Sequence, residues 1–179
     1  PNKVKNNEFL PSYYISYGSS NFSGMDSEDL FNKNLKTQPS DWYYRTALVR
    51  YTTNKHGYRT KEFDDIDWAN GIVLFGCSNV FGIGLDDEYT ISNQLSKLIN
   101  KPVINMGVGA SSMIFSLHNA IILRERYPIP LAVVNLWTTY SRTVYYNNNI
   151  SCHCGSWNIE NDNNNYLKEW VKSDSHAQT

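Results

Sequence analysis

Charge is scarce in this chain, and so is sulfur. Asp, Glu, Lys and Arg make up 18% of the 179 residues and nearly cancel, leaving a formal net charge of −1. That balance gives no electrostatic case for nucleic acid or an anionic membrane as partner. No apolar run approaches the ~18 residues that span a bilayer, so no membrane association is expected. Pro1 to Glu8 is polar and lacks the apolar core of a secretory signal. Pro1 in place of Met is expected to mark a trimmed start. There is no internal repeat. The three cysteines are an odd number and build no disulfide framework, so a reducing, cytoplasmic compartment is the simpler expectation. Cys152 and Cys154 flank His153, but ligands one residue apart are poorly spaced for tetrahedral zinc and no second pair lies nearby. An irregular loop and no metal are expected there.

Apolar and aromatic residues are plentiful. At 41% hydrophobic and 14% aromatic, the chain can bury one proper core. Residues 1–45 are rich in Asn, Ser and Tyr with little periodicity, and read as an N-terminal arm with one short helix over Asp26–Asn34. Residues 46–179 read as one α/β domain. Ala47–Tyr51 and Ile72–Phe75 are predicted strands. Ile91, Leu95, Leu98 and Ile99 give a helix over Thr90–Leu98, stopped by Asn100-Lys101-Pro102. Val103–Asn105 is the next strand. Ser112–Tyr127 is a second helix with Ile114, Leu117, Ile121 and Ile122 as its apolar face, broken by Pro128 and Pro130. Leu131–Trp137 is a third strand whose continuous apolar character predicts a parallel position covered on both faces. Strands alternating with helices give a short parallel sheet in three layers. Beyond Arg142 the periodicity fades, and residues 147–179 are expected to be irregular or a short helix, leaving the sheet edge open or covered by a partner or the arm.

The chemistry concentrates at the end of the first core strand. The run Ile72–Phe75 stops at Gly76-Cys77-Ser78 and continues as Asn79-Val80-Phe81-Gly82-Ile83-Gly84. A serine just past a strand's C-terminal end sits where open α/β sheets place their ligands. A hydroxyl at such a turn can act as a nucleophile, with neighbouring N–H groups stabilising an oxyanion. Cys77 beside it is a second possible nucleophile, although a small cysteine more often packs as a hydrophobe. The glycine loop lacks the lysine of a phosphate-binding P-loop and does not match the dinucleotide fingerprint.

Gly76-Cys77-Ser78 with Phe81-Gly82-Ile83-Gly84 resembles the first block of the SGNH (GDSL-type) hydrolases, with Cys77 where that family usually has Asp. Val103-Ile104-Asn105-Met106-Gly107-Val108-Gly109-Ala110-Ser111-Ser112 resembles the second block, and Asn54-Lys55-His56-Gly57-Tyr58-Arg59 a lead-in found in SGNH-like proteins, phage-encoded ones among them. The likeness runs from Asn54 to Arg142. It implies a flavodoxin-like fold and Ser78 as nucleophile. Gly109 or Ala110 would serve in the oxyanion hole, since the block spacing is one residue off. Asn79, Asn105 and Ser111 would line the substrate site.

Two family features are altered. The third block has no Asn after the strand, so Thr138 or Thr139 stands in as a candidate oxyanion donor. The late Asp-x-x-His appears as Asp174-x-His176. This is a shifted acid–base pair, or the true pair lies beyond residue 179, or there is none. His56 precedes a turn glycine, His118 falls mid-helix and His153 lies in the late segment. The expectation is a serine esterase acting on a small-molecule or glycan ester such as a carbohydrate O-acyl group, with no cofactor. The alternative is a non-catalytic SGNH-like domain for binding or viral assembly, as a homo-oligomer or with an assembly partner, in a host cell or virion.

Overall fold

The computed structural model describes residues 18–20, 27–46, 49–147 and 150–155. Its centre is a parallel sheet of three strands, β3 (Ile72–Phe75), β4 (Val103–Asn105) and β5 (Ala132–Asn135), in the order β4-β3-β5. Before it come β1 (Gly18–Ser20), α1 (Glu28–Leu35) and β2 (Tyr51–Thr53), and β1 pairs antiparallel with β2. Between β3 and β4 lie α2 (Ser78–Phe81) and α3 (Ile91–Ile99); α4 (Met113–Arg126) joins β4 to β5. Among the described residues no helix is long and apolar enough to cross a membrane.

Local signals set the boundaries. Ser27, Thr90 and Ser112 each cap a helix by accepting a backbone N–H three residues on, from Leu30, Asn93 and Phe115. Asn100 ends α3 in the left-handed conformation at φ 52°. The predicted first helix thus starts two residues late, with Ser27 as a true cap, and the strand expected at Ala47–Tyr51 is found at Tyr51–Thr53.

The chain leaves β3 for β4 on one side and returns across β3 to β5 on the other. Right-handed crossovers in opposite directions place α3 and α4 on opposite faces. The side chains agree. Val73 and Phe75, with their register neighbours Ile104 and Met106, join Phe115, Ile122 and Leu123 of α4 and the aromatics Tyr58, Phe63 and Trp68 in the main core. Leu74 and Asn105 point the other way, and the Asn105 amide reaches Ser92 of α3 at 3.3 Å.

Three expectations are overturned. The buried face of α4 is Phe115, Ser116, Asn119, Ile122 and Leu123, whereas Ile114, Leu117 and Ile121 are exposed. The reason is a buried polar anchor: Asn119 donates to the Tyr58 hydroxyl at 2.8 Å, which turns the helix so that the three aliphatics face outward. Among the described residues β5 is an edge strand, and it is not covered on both faces as expected, with Val133 and Val134 both exposed. The irregular loop expected at Cys152-His153-Cys154 is a strand, for β6 (Thr143–Asn147) and β7 (Ile150–Cys154) pair as an antiparallel hairpin, and so the irregular chain expected over 147–179 is not found at 147 and 150–154. Val144 and His153 bring this hairpin onto the α4 side of the core. The rest of that expectation, over 156–179, lies outside the described residues.

Arg59 ties the segment before the sheet to the loop after α2. Its guanidinium is buried and donates to the carbonyls of Arg50 (3.0 Å), Phe81 (3.3 Å), Gly82 (2.6 Å) and Leu85 (2.6 Å) and to the Asp87 carboxylate (2.6 Å). The Tyr51 and Phe81 rings flank it at 4.8 and 5.7 Å. Removing one partner of a buried, fully bonded charge leaves the others unsatisfied, at about 3–5 kcal/mol. Arg59→Ala is therefore expected to destabilise the fold by that amount in urea unfolding. Arg59→Lys, with one compact ammonium in place of a planar fork, is expected to recover only part of the loss.

Candidate functional site

Ser78 is the first residue of α2, immediately beyond the C-terminal end of the central strand β3. Gly76 and Cys77 make the turn, and Gly82 closes this one-turn helix at φ 83°, which only glycine adopts without strain. The turn after β4 is fastened to the same place. Val108 N–H donates to the Gly76 carbonyl at 3.1 Å, and the Ser111 hydroxyl donates to that oxygen at 3.0 Å. Gly107 has no side chain because there is no room for one: a Cβ there would stand 2.5 Å from the Phe81 nitrogen. The loop after β5 arrives as well, since Leu136 N–H bonds Phe75 O at 2.9 Å and the Thr138 side chain stands near enough to the Cys77 thiol to lower its pKa. Three loops from three adjacent strands thus converge at Cys77-Ser78.

The predicted site residues divide by what their polar groups already do. Asn105 is buried. Its amide donates to Val80 O (2.8 Å) and Ser92 Oγ (3.3 Å), and its carbonyl oxygen accepts from Gly107 N–H (2.9 Å). Ser111 is buried on Gly76 O. Both hold α2 and the turns in place. Asn79 is exposed on α2, and its backbone N–H favours the Cys77 thiolate. Gly109 and Ala110 form the tip of a turn closed by Ser111 N–H to Val108 O at 3.1 Å, with Ala110 at φ 60°. Their own N–H groups donate to no acceptor among the described residues. Asp174 and His176 lie outside the described residues.

The other histidines are held by rings or helix. His56 stacks on Phe63 at 5.0 Å between centroids, His118 is half-buried on α4, and His153 packs edge-on against Phe115 at 4.7 Å. Burial lowers the His153 pKa to about 4.

Cys77 is the residue whose chemistry was least legible beforehand. It is half-buried, and its sulfur lies 3.9 Å from Ser78 Oγ. Burial alone would raise its pKa. The Asn79 N–H, the Thr138 and Ser78 hydroxyls and the Arg142 charge outweigh that and lower it. Arg142, seven residues beyond the end of β5, was not among the candidate site residues. Its backbone N–H donates to Thr139 O at 3.2 Å, and the next residue, Thr143, pairs with Cys154. A cleft of about 650 Å³ lies elsewhere, lined by Thr60, Asp67, Asn93, Ser96, Lys101 and Val103, and none of the described candidate residues lines it. Compared with known proteins, the chain matches no family model, no curated protein and no solved structure.

Two outcomes follow from these shifts. His153 is neutral in the fold but titrates near 6.5 when unfolded, so the unfolded chain binds the extra proton between those values. Its contribution is full above pH ~6.5 and is lost as pH falls toward 4, by about 3 kcal/mol in all. Unfolding free energies across that window should show the slope, and His153→Phe should flatten it. Iodoacetamide labelling with peptide mapping should find Cys77 reacting at lower pH than an ordinary thiol and well ahead of buried Cys154. Arg142→Gln should shift its labelling profile upward.

Proposed function

We propose that Ser78 is the nucleophile of an SGNH-type acyl hydrolase that cleaves an ester such as a carbohydrate O-acyl group. The observation that carries this reading is the seat of Ser78: the first residue of a helix directly after the central strand, with the turns after both neighbouring strands fastened to its own. In this reading Ser78 Oγ attacks the acyl carbonyl and its proton passes to His176, oriented by Asp174. The tetrahedral oxyanion is met by the N–H of Gly109 or Ala110, which have no other acceptor among the described residues, and by the Thr138 hydroxyl. The alcohol leaves, and water releases the acid from the acyl-enzyme.

A second reading, a non-catalytic SGNH-like domain for binding or assembly, is favoured by Asn105 and Ser111. These two family-type site residues have their side chains engaged within the fold.

Turnover of a short-chain p-nitrophenyl ester separates the two. Under the hydrolase reading, Ser78→Ala lowers turnover by about 10³-fold or more without loss of fold, and His176→Ala costs a similar amount because nucleophile and base act as a unit. Cys77→Ala stays active. Loss in Cys77→Ala with activity kept in Ser78→Ala moves the nucleophile to sulfur. A wild-type chain that turns over no ester favours the binding domain.

A further inference from the structure

The open edge of β5 differs from the rest of the surface. β5 pairs with β3 on one side and with no strand on the other among the described residues. It is uncovered on both faces: Val133, on the α4 side, is 52% exposed, and Val134, on the α3 side, 40%. Leu131, Leu136, Trp137 and Tyr140 extend the apolar surface along the same segment. From Leu131 to Tyr140 there is no charged residue and no proline. Chains that remain monomeric blunt such edges with charge, proline, bulges or a covering element.

We propose that this edge docks a second copy of the chain, β5 pairing antiparallel with the β5 of its partner about a two-fold axis to give one continuous six-stranded sheet. Three features select a second copy as the occupant. A strand edge is self-complementary when antiparallel, because each outward N–H meets a C=O of the identical strand across the axis. An uncharged run sets no like charges against each other across that axis, whereas a charged partner would find no countercharge there. Six apolar side chains stand exposed along this one segment, Trp137 and Tyr140 the largest, and they supply apolar surface toward the ~800 Å² per partner of a standard interface.

Sedimentation equilibrium of the full chain tests the assignment. A concentration-dependent dimer is expected. Val133→Lys and Trp137→Glu should each raise its dissociation constant at least tenfold with unchanged circular dichroism; Trp137, 70% exposed, keeps the test open should Val133→Lys fail to fold. Leu98→Lys, at an 82% exposed apolar position on α3 away from the edge, should leave the dimer intact. A chain still monomeric at ~1 mM overturns the proposal, as does a dimer that survives both edge variants or dissociates in Leu98→Lys.

Discussion

A single guanidinium ties the segment before the parallel sheet to the end of α2 and the loop that follows it. Arg59 reaches backward to Arg50 O beside β2 and forward to the carbonyls of Phe81, Gly82 and Leu85. Those carbonyls belong to the end of α2 and the loop beyond it, where a helix of four residues leaves its last acceptors unpaired. A planar fork with five donors can satisfy several of them at once, which no other side chain does. Tyr44 and Tyr51 complete the clamp from β2's side, since the Tyr44 hydroxyl donates to Gly84 O and the Tyr51 hydroxyl accepts Gly84 N–H at 2.8 Å. Ser78 begins the helix whose end Arg59 pins. The orientation of the candidate nucleophile therefore depends on a residue nineteen positions upstream.

Arg59 itself needs placing, and the preceding residues do that. The Asn54 side-chain oxygen accepts the N–H groups of His56 and Tyr58, both at 3.0 Å, and Gly57 turns at φ 81°. Tyr58 then buries its ring in the main core and anchors its hydroxyl on Asn119. The segment Asn54–Arg59 is thus a tight turn with one hand in the core and one on the site loop. On the other flank Asn105 bonds Val80 O and Gly107 packs against Phe81. The short helix is held from both sides by groups that have no need to touch a substrate.

Much of this was legible. Ile72–Phe75 and Val103–Asn105 stand out because each apolar run ends in glycine or a polar turn, and α3 because Thr90 and Asn100 bracket its period. Ser78 fell where the strand pattern placed it. What stayed hidden depended on distant partners. The face of α4 is chosen by Asn119 and Tyr58, 61 residues apart, and a polar residue counts against burial in any periodicity. The pairing of β6 with β7 stayed hidden because the polar run Asn147-Asn148-Asn149 reads as loop and obscures the two short strand patterns on either side of it. The apolar strand β5 reads as central because composition records what a strand could bury, not whether a neighbour is supplied.

Ala110 shows how these constraints meet at the candidate site. A β-carbon at φ 60° costs about 1–2 kcal/mol relative to an ordinary backbone, and glycine would avoid it. The surrounding structure enforces that conformation. Val108 is tied to Gly76 and Ser111 is tied to both Val108 and Gly76, so the two residues between them must close the turn in a fixed shape. Glycine at 110 would relax the steric cost but loosen the tip. With alanine the tip is stiff, and the N–H groups of Gly109 and Ala110 remain without acceptors among the described residues. In the hydrolase proposed above, this stiff tip with its unbonded donors is what would meet the negative oxygen, at no cost of reorganisation when the charge develops.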